Sequence, residues 1–328
     1  MAISITGIRP TGTAHLGNYL GMLRPALALA HDHDALCFIA DLHALIDVRD
    51  PETLRSRTRE IAAVWLACGL DPRRTALYRQ SDAPAICEVV WLVSCVTAKG
   101  TLNRGHAYKA VVDANRSSGR DLDAGVTAGL FDYPLLMAAD ILAMDAEIVP
   151  VGRDQRQHVE AAREIARAFN GAYGDVLRVP DAVVDERVMT VPGLDGRKMS
   201  KSYGNVIPIM AEPDELRRRV MAIVTDSRRP EEPKDPDGDT VFCLYRELAP
   251  DGDVRSLRAR YESGGVGYAE AKQALFEVLE ERMREPRARY RELLADAGEL
   301  ERVLEAGGAV ARARADATLG RMRTAVGL

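Results

Sequence analysis

The chain has 328 residues, of which 47% are hydrophobic and 28% are charged, and its formal net charge at pH 7 is -5. It is long enough for one large α/β domain and a smaller second domain, and the negative charge argues against a nonspecific coat for nucleic acid. No apolar run approaches the roughly 18 residues that cross a membrane, and the N-terminus lacks a signal-peptide core, so we expect a cytoplasmic protein.

The five cysteines are widely spaced, odd in number and set mostly among apolar residues. This usage predicts buried free thiols in a reducing compartment. No C-x-x-C pair or Cys/His cluster is present, so we expect no metal ion held by the protein itself.

The first predicted element is an apolar strand at residues 3–8, which meets a turn containing Gly12 and then a helical pattern over about 18–30. Glycine lets the backbone approach a ligand, and a helix that begins at such a turn favours an anion at its N-terminus. His15 and Asn18 lie one helical turn apart and both carry hydrogen-bond donors. The stretch predicts a phosphate-binding turn, with a glycine-rich connection that binds nothing as the alternative.

Two further strands are predicted at 35–40 and 76–80, separated by an amphipathic helix over 51–68 that ends at Gly69. This β-α-β-α-β alternation is typical of the first half of a doubly wound sheet. His43 follows the second strand, and the carboxyl ends of parallel strands face the ligand crevice. His43 therefore lines the site or, alternatively, only ends the strand.

An apolar helix at 84–96 carries Trp91 and precedes a polar stretch at 99–120. A partner surface is one interpretation of this insertion, at about 82–130, and ordinary core packing is the other. Lys109 and residues 115–119 are expected to belong to a mobile polar loop.

The apolar helical stretch at 131–144 contains a single carboxylate, Asp140. A buried carboxylate is costly unless a donor satisfies it, so Asp140 needs either an internal partner or a ligand that donates. A strand at 147–151 and a turn into another helix follow, where Asp154 alone would fit a helix cap.

A basic loop at 196–205 comes next, and alone it would be a solvated lysine loop. Beyond Asn205 the pattern is helical, with helices beginning near 212 and spanning 268–284, 286–295 and from about 309 onward. The last helix carries four arginines that either form a solvated face or contact phosphates: Arg312, Arg314, Arg321 and Arg323.

Two of these stretches together resemble the signature motifs of class I aminoacyl-tRNA synthetases. They are P-T-G-x-x-H-L-G-N at 10–18 and K-M-S-K-S at 198–202, about 180 residues apart. The segments at 133–142 and 149–160 are similar to the bacterial tryptophanyl-tRNA synthetase family, and the similarity extends from Ile5 to the C-terminal helices.

The resemblance implies an α/β fold, with a Rossmann-like doubly wound parallel sheet of the class I HUP type. It implies a catalytic domain at 1–206 with an inserted helical dimerisation segment, and an all-helical anticodon-binding domain at 207–328. The implied function is ATP-dependent activation of L-tryptophan, assisted by Mg²⁺, and its transfer to tRNA(Trp), in a cytoplasmic homodimer that binds neither membrane nor DNA.

The resemblance also assigns site residues. The catalytic set is His15, Asn18, Lys109, Lys198, Ser200 and Lys201. The ATP-binding set is Arg9, Thr11, Gly12, Gly17, Asn18, Gly152, Asp154, Val188, Lys198, Met199, Ser200 and Lys201. The tryptophan-binding set is Ile5, Gly7, His43, Tyr133, Met137, Asp140, Val149, Val151 and Gln155, in which Asp140 accepts a hydrogen bond from the indole N–H.

The chain departs from the family pattern at Arg9, at His15 and in the residues around Lys109. Arg9 stands where several members have Gln, and His15 stands where some have Thr; both keep a hydrogen-bond donor. The alternatives are a tyrosyl-tRNA synthetase, which shares fold and motifs, a small-molecule adenylyltransferase, and a synthetase paralogue that binds tryptophan or confers antibiotic resistance.

Overall fold

Five parallel strands form the central sheet in the part of the chain that this computed structural model describes, residues 2–151, 156–184 and 191–328. The strands are β1 (Ile3–Ile8), β2 (Asp34–Ile39), β3 (Ala76–Arg79), β4 (Ile148–Val151) and β5 (Asp181–Val184). Their spatial order is β3-β2-β1-β4-β5, and each neighbouring pair is parallel. The chain moves outward on one side of β1 and then returns to its other side, so the topological switch point lies between β1 and β4. Ligands of open α/β sheets bind at such a point.

The helices after β1 and β2 bear out the predicted alternation. A turn of helix, α1 (Leu16–Asn18), runs through a π-helical segment, Tyr19–Leu23, into α2 (Arg24–Asp32). After β2 come α3 (Asp41–Ala44) and α4 (Pro51–Ala67), and Asp50 caps α4 by accepting a 2.8 Å hydrogen bond from the Thr53 amide. The predicted first helix thus exists, but it begins earlier and includes a π-helical segment.

The insertion is helical throughout much of its length, with α5 (Ala85–Ser94), α6 (Lys99–Leu102), α7 (His106–Ser117) and α8 (Ala128–Phe131). The expectation of a polar loop is wrong for Lys109 and for the first part of 115–119, because α7 extends from His106 to Ser117. Asn115 is 1% exposed, and its amide donates to the carbonyls of Leu122 (3.0 Å) and Ala124 (2.8 Å). The side chain that looked like a loop residue therefore anchors the segment that follows the helix.

Two more helices flank the second half of the sheet, α9 (Tyr133–Leu142) and α10 (Arg156–Tyr173). The C-terminal region consists of α11 (Pro213–Met221), α12 (Thr240–Arg246), α13 (Asp251–Ser263), α14 (Tyr268–Ala295) and α15 (Ala297–Val326).

The helices predicted at 268–284 and 286–295 are one helix, α14, with Pro286 inside it. A proline removes one helical hydrogen bond, but Met283 and Leu293, on either side of it, are both fully buried. Packing of α14 against α4, α11 and α12 explains its continuity. The last helix, likewise, begins at Ala297 and not near 309.

The arginines of α15 face the rest of the chain. Arg314 pairs with Asp34 at the start of β2 (2.5 Å), Arg321 pairs with Asp145 (2.6 Å), and Arg323 pairs with Glu88 of α5 (2.6 Å). Arg312 donates to the Asp82 carbonyl at 3.1 Å. These ion pairs and this hydrogen bond tie α15 to the rest of the chain, while Arg312, Arg321 and Arg323 remain exposed, which agrees with a solvated face. Contact of these arginines with phosphates stays a prediction.

Alternate residues of the central strands enter two apolar cores, one on each face of the sheet. On β2, Leu36 and Phe38 join one core and Cys37 and Ile39 join the other. This division follows from the period of two along a strand and explains why the strands are apolar throughout. The second of these cores also contains residues of α4, α11, α12 and α14, so the C-terminal helices share it with the first half of the sheet.

The cysteines are only partly as expected. All five are free, and Cys37 is buried, which raises the pKa of its thiol to about 12. Cys87 of α5 and Cys95, the residue that follows α5, are however exposed. They lie one helical turn before and one helical turn after Trp91. Among the described residues no helix combines the length and apolar character that crossing a membrane requires.

The close contact between α15 and β3 leads to a testable prediction about two glycines of α15. A Cβ on Gly307 would lie 2.1 Å from the Leu77 carbonyl oxygen, whereas a Cβ on Gly320 would meet nothing within 4 Å. We expect Gly307→Ala to lower the free energy of unfolding by roughly 1–3 kcal/mol because the helix must move away from the strand. Gly320→Ala should raise it by up to about 1 kcal/mol through helix propensity. Urea unfolding of both variants checks this, and equal effects at the two sites would contradict the close packing.

Candidate active site

The turn after β1 is shaped by its glycines and by the side chains of His15 and Asn18. Gly12 has φ +131°, a conformation that side chains disfavour, and a Cβ on Gly17 would lie 3.0 Å from His15 Nδ1. Asn18 Oδ1 accepts a 3.1 Å hydrogen bond from the His15 amide, which fixes the start of the helix. The turn is therefore a rigid and close-fitting structure.

His15 is 7% exposed, and its Nδ1 has no hydrogen-bond partner in the part of the chain that is described. Burial and then the charge of Lys201 lower the pKa of His15 to about 4. At neutral pH this imidazole is neutral, so it offers a ligand a hydrogen bond and not a charge.

The two signature motifs meet directly. Lys201 Nζ donates to the Gly12 carbonyl at 2.8 Å across 189 residues of sequence, and the Gly17 amide lies 3.2 Å from the sulfur of Met199. The backbone amide of Leu16 also donates to the Ile207 carbonyl at 2.8 Å. These contacts bring the lysine loop and the glycine turn together at the carboxyl end of β1, as predicted from the sequence.

Asn205 organises the lysine loop and was assigned no role from the sequence. It is 4% exposed; its Oδ1 accepts from the Ser200 amide at 2.8 Å, and its Nδ2 donates to Asp195 (2.7 Å) and to the Lys198 carbonyl (3.1 Å). Its position inside the loop, where an amide can satisfy both donors and acceptors of the backbone, is a signal that was available in the sequence.

The positive charge of Lys201 is destabilised in its surroundings. Burial first, and then the guanidinium of Arg57, lowers the pKa of Lys201 to about 8, while Glu60 acts in the opposite direction. Among the described residues, the amine donates to a neutral carbonyl, that of Gly12. An anionic phosphate at the same place would be a better partner for it.

A second polar cluster lies around Asp140, which is 1% exposed inside the apolar core. Gln80 Nε2 donates to Asp140 Oδ1 at 2.7 Å, and His43 Nε2 lies 3.1 Å from Asp140 Oδ2. The internal partners of Asp140 are thus a histidine and an amide. Burial raises the pKa of Asp140, and the donations from His43 and Gln80 oppose this rise.

Aromatic side chains surround this cluster. The rings of His43 and Tyr133 are 4.3 Å apart, and the Tyr133 ring lies 6.0 Å from that of His158. His43 Nδ1 is buried and has no hydrogen-bond partner among the described residues. Arg9 reaches over the Tyr133 ring at 6.0 Å and forms an ion pair with Asp47, so Arg9 stands at the junction of the two clusters.

The predicted pocket residues of the strands are placed consistently with this site. Ile5 and Val149 are buried in the same core as α9, and Met137 packs against that core while remaining partly exposed. A Cβ on Gly7 would lie 2.2 Å from the Phe38 ring, so this position has no room for a side chain. Thr11 is half-buried in the turn.

Several predicted residues are not joined to the site by the structure. Lys109 lies on the exposed side of α7, and no contact of its side chain with either cluster is seen. Val151 is the last residue of β4, and only its backbone is described. Gly152, Asp154, Gln155 and Val188 lie outside the described residues. In the described part of the chain, no group of three or more His, Cys, Asp or Glu side chains is arranged to hold a metal ion.

Known proteins share this arrangement. The family model for class I tRNA synthetases (W and Y) matches residues 2–284. A tryptophan–tRNA ligase of Xanthomonas campestris pv. campestris is 53% identical over 328 residues, covering 99% of this chain and 76% of the relative. The ligase of Xanthomonas axonopodis pv. citri is 52% identical with the same coverage. The crystal structure of tryptophanyl-tRNA synthetase from Campylobacter jejuni complexed with ADP and tryptophan matches with a TM-score of 0.88 at 37% identity, covering 99% of this chain and 100% of that one.

Asn205 provides a prediction about the lysine loop. Asn205→Ala removes the three hydrogen bonds that this buried side chain makes to the loop, so we expect a loss of roughly 1–3 kcal/mol in local stability. Trypsin should then cleave after Lys198 or Lys201 several-fold faster than in the parent protein. Ser202→Ala, which removes an exposed hydroxyl of the same loop, is the control. Equal cleavage rates in the two variants would show that Asn205 does not hold the loop.

Proposed function

Because the chain belongs to the class I tRNA synthetases of the tryptophan and tyrosine family, we infer that it is a tryptophan–tRNA ligase. It activates L-tryptophan with ATP and transfers the tryptophanyl group to tRNA(Trp), releasing AMP and diphosphate. The observation that supports the reaction class is the contact of Lys201 with the Gly12 carbonyl, in which a half-buried cation lies against the turn that we assign to phosphate.

In the first step the tryptophan carboxylate attacks the α-phosphorus of ATP, and pyrophosphate leaves with the electrons of the broken P–O bond. The substrate supplies its own nucleophile, so the protein acts by positioning and by stabilising charge. Lys201 and Lys198 face the charge that develops on the pyrophosphate, and Ser200 adds a hydroxyl donor. Mg²⁺, bound to the phosphates of ATP, shares this neutralisation.

His15 and Asn18 complete the phosphate site from the turn. The neutral imidazole of His15, with an unsatisfied Nδ1, is a hydrogen-bonding group for a phosphoryl oxygen. The remaining ATP contacts come from backbone and side chains of the same turn and loop, and from the segment after β4. We assign them, following the family resemblance, to Arg9, Thr11, Gly12, Gly17, Gly152, Asp154, Val188 and Met199.

The tryptophan side chain is recognised at Asp140. Both carboxylate oxygens already accept one hydrogen bond each, and each keeps a lone pair for a further donor. An indole N–H satisfies this acceptor, whereas a phenylalanine ring leaves it unpaired, and a polar site rejects such analogues far more strongly than an apolar one does. His43 and Tyr133 pack beside the ring with Met137, and Ile5, Gly7, Val149 and Val151 line the strand side. Gln155 contacts the amino-acid backbone.

The assembly we propose is a homodimer that forms through α5. Trp91 is 68% exposed there, flanked by exposed Cys87 and Cys95, and a free apolar face of this kind is unusual in a monomer. The exposed Lys109 of the insertion reaches the ATP phosphates when substrates bind. The domain boundary lies at 206/207, the helices beyond it contact the anticodon of tRNA(Trp), and the enzyme works in the cytoplasm without membrane or DNA.

The direct test of this function is aminoacylation. The purified protein, incubated with ATP, Mg²⁺, labelled tryptophan and total bacterial tRNA, should form acid-precipitable tryptophanyl-tRNA only on tRNA(Trp). Labelled tyrosine should give none. A paralogue that only binds tryptophan would leave all tRNA uncharged, and charging with tyrosine would assign the protein to the sister specificity.

Lys201 leads to a prediction about pH. Because its pKa is about 8, the neutral amine gains population as the pH rises through that value, so kcat/KM for ATP in pyrophosphate exchange should fall above pH 8. Lys201→Ala should reduce exchange by roughly 10²- to 10³-fold and abolish this fall. Tryptophan binding, measured by calorimetry, should change less than about twofold, since Lys201 contacts the turn and not the Asp140 cluster. Unchanged turnover in the variant would remove Lys201 from the mechanism.

Asp140 provides the matching prediction for the amino acid. Asp140→Asn replaces a charged acceptor by a neutral one, so we expect the Kd for tryptophan to rise roughly 10- to 100-fold while the KM for ATP stays the same. Asp145→Asn is the control, because Asp145 lies in the turn just after the same helix, α9, and pairs with Arg321 outside the pocket. Similar tryptophan affinities in the two variants would contradict the assignment of Asp140 as the indole acceptor.

A further inference from the structure

Gln80 is a buried polar residue that the sequence did not single out and that the reaction does not use directly. It follows β3 and is 0% exposed. Its Nε2 donates to Asp140 Oδ1 at 2.7 Å, and its Oε1 accepts from the His43 backbone amide at 3.3 Å. The amide is thus held at both ends, and because the His43 amide can only donate, the NH₂ group must face the carboxylate.

The position of Gln80 is fixed by its neighbours in the chain. The adjacent Arg79 pairs with Asp82 (3.0 Å) and with Glu301 of α15 (2.8 Å), and the next residue, Ser81, donates its amide to Asp41 at 3.0 Å. Because these neighbours fix the backbone at Gln80, the Gln80 side chain loses little conformational entropy when it binds Asp140. Gln80 is therefore a preorganised donor, which is the requirement for holding another group accurately.

The donation has an electrostatic consequence for Asp140. A protonated carboxyl would present a donor where the ligand needs an acceptor, and burial favours that neutral form. Two nearby groups, His43 and Gln80, favour the ionised form through hydrogen bonds, and one, Asp41, opposes it. Because an amide donor does not change charge with pH, the hydrogen bond from Gln80 favours the ionised form of Asp140 independently of pH.

We propose that Gln80 is a specificity-determining positioning residue, which holds the Asp140 carboxylate as an acceptor turned toward the substrate, so that the pocket selects a side chain with a ring N–H. The inference rests on the proposed function, and it adds a residue that touches Asp140 and not the tryptophan. Loss of Gln80 should therefore weaken binding only of ligands that use the N–H.

The test compares two ligands and three variants by calorimetry. The ligands are L-tryptophan and β-(3-benzothienyl)alanine, in which sulfur replaces the ring N–H. For the parent protein we expect a strong preference for tryptophan. Gln80→Met, which keeps the volume but removes the donor, should reduce this preference roughly 10- to 100-fold, through weaker tryptophan binding alone. Gln80→Asn, one methylene shorter, is a second variant with less risk to folding and should reduce the preference in the same direction.

Leu77→Val is the matched control. Leu77 is fully buried like Gln80 and lies on β3 just before it, but its side chain belongs to the core that does not contain α9. It should leave the preference unchanged, so a general loss of stability cannot mimic the effect. If the parent protein prefers tryptophan and both Gln80 variants keep the full preference, the role of Gln80 is refuted while the proposed function stands. If the parent protein binds neither ligand, the proposed function falls and the inference with it.

Discussion

A carboxylate without access to water is the constraint around which this structure is built. Asp140 lies in an apolar core at 1% exposure, and such a charge is tolerated only where donors surround it. The chain supplies them from the ends of two different strands, His43 after β2 and Gln80 after β3. We infer that the buried carboxylate thereby favours ligands that carry a hydrogen-bond donor, since such a donor satisfies its remaining acceptor capacity.

The parallel sheet explains why this cluster and the phosphate-binding turn are neighbours. All the strands present their carboxyl ends to one edge, and the switch point between β1 and β4 opens that edge to ligands. The turn after β1 is joined by the lysine loop through the contacts of Lys201 and Met199. Arg9 and Tyr133 connect the two halves of the site. The amino-acid pocket and the nucleotide site that we propose are thus neighbours because of one topology.

The strands, the two motifs and the special position of Asp140 were predictable because each leaves a local pattern: apolar runs, glycines next to polar groups, and a charge inside an apolar helix. The role of Gln80 was not, since an isolated amide carries no pattern and its value depends on a partner 60 residues away. Asn205 left a weaker signal, its position inside the lysine loop, and its bonds to that loop's own backbone became clear only in the structure. Tertiary packing also explains three features that the local sequence patterns did not predict. The helix α14 continues through Pro286, the arginines of α15 pair with acids across the sheet, and Asn115 is buried and not in a loop.

The measurement that tests the central claim most directly is amino-acid-dependent exchange of labelled pyrophosphate into ATP, run with each of the twenty amino acids. A buried acceptor beside a phosphate site predicts exchange with tryptophan alone, with phenylalanine and tyrosine at background. Exchange with tyrosine would mean that the Asp140 cluster reads a phenol. Comparable exchange with phenylalanine would mean that the carboxylate does not select its ligand at all, and would contradict the account.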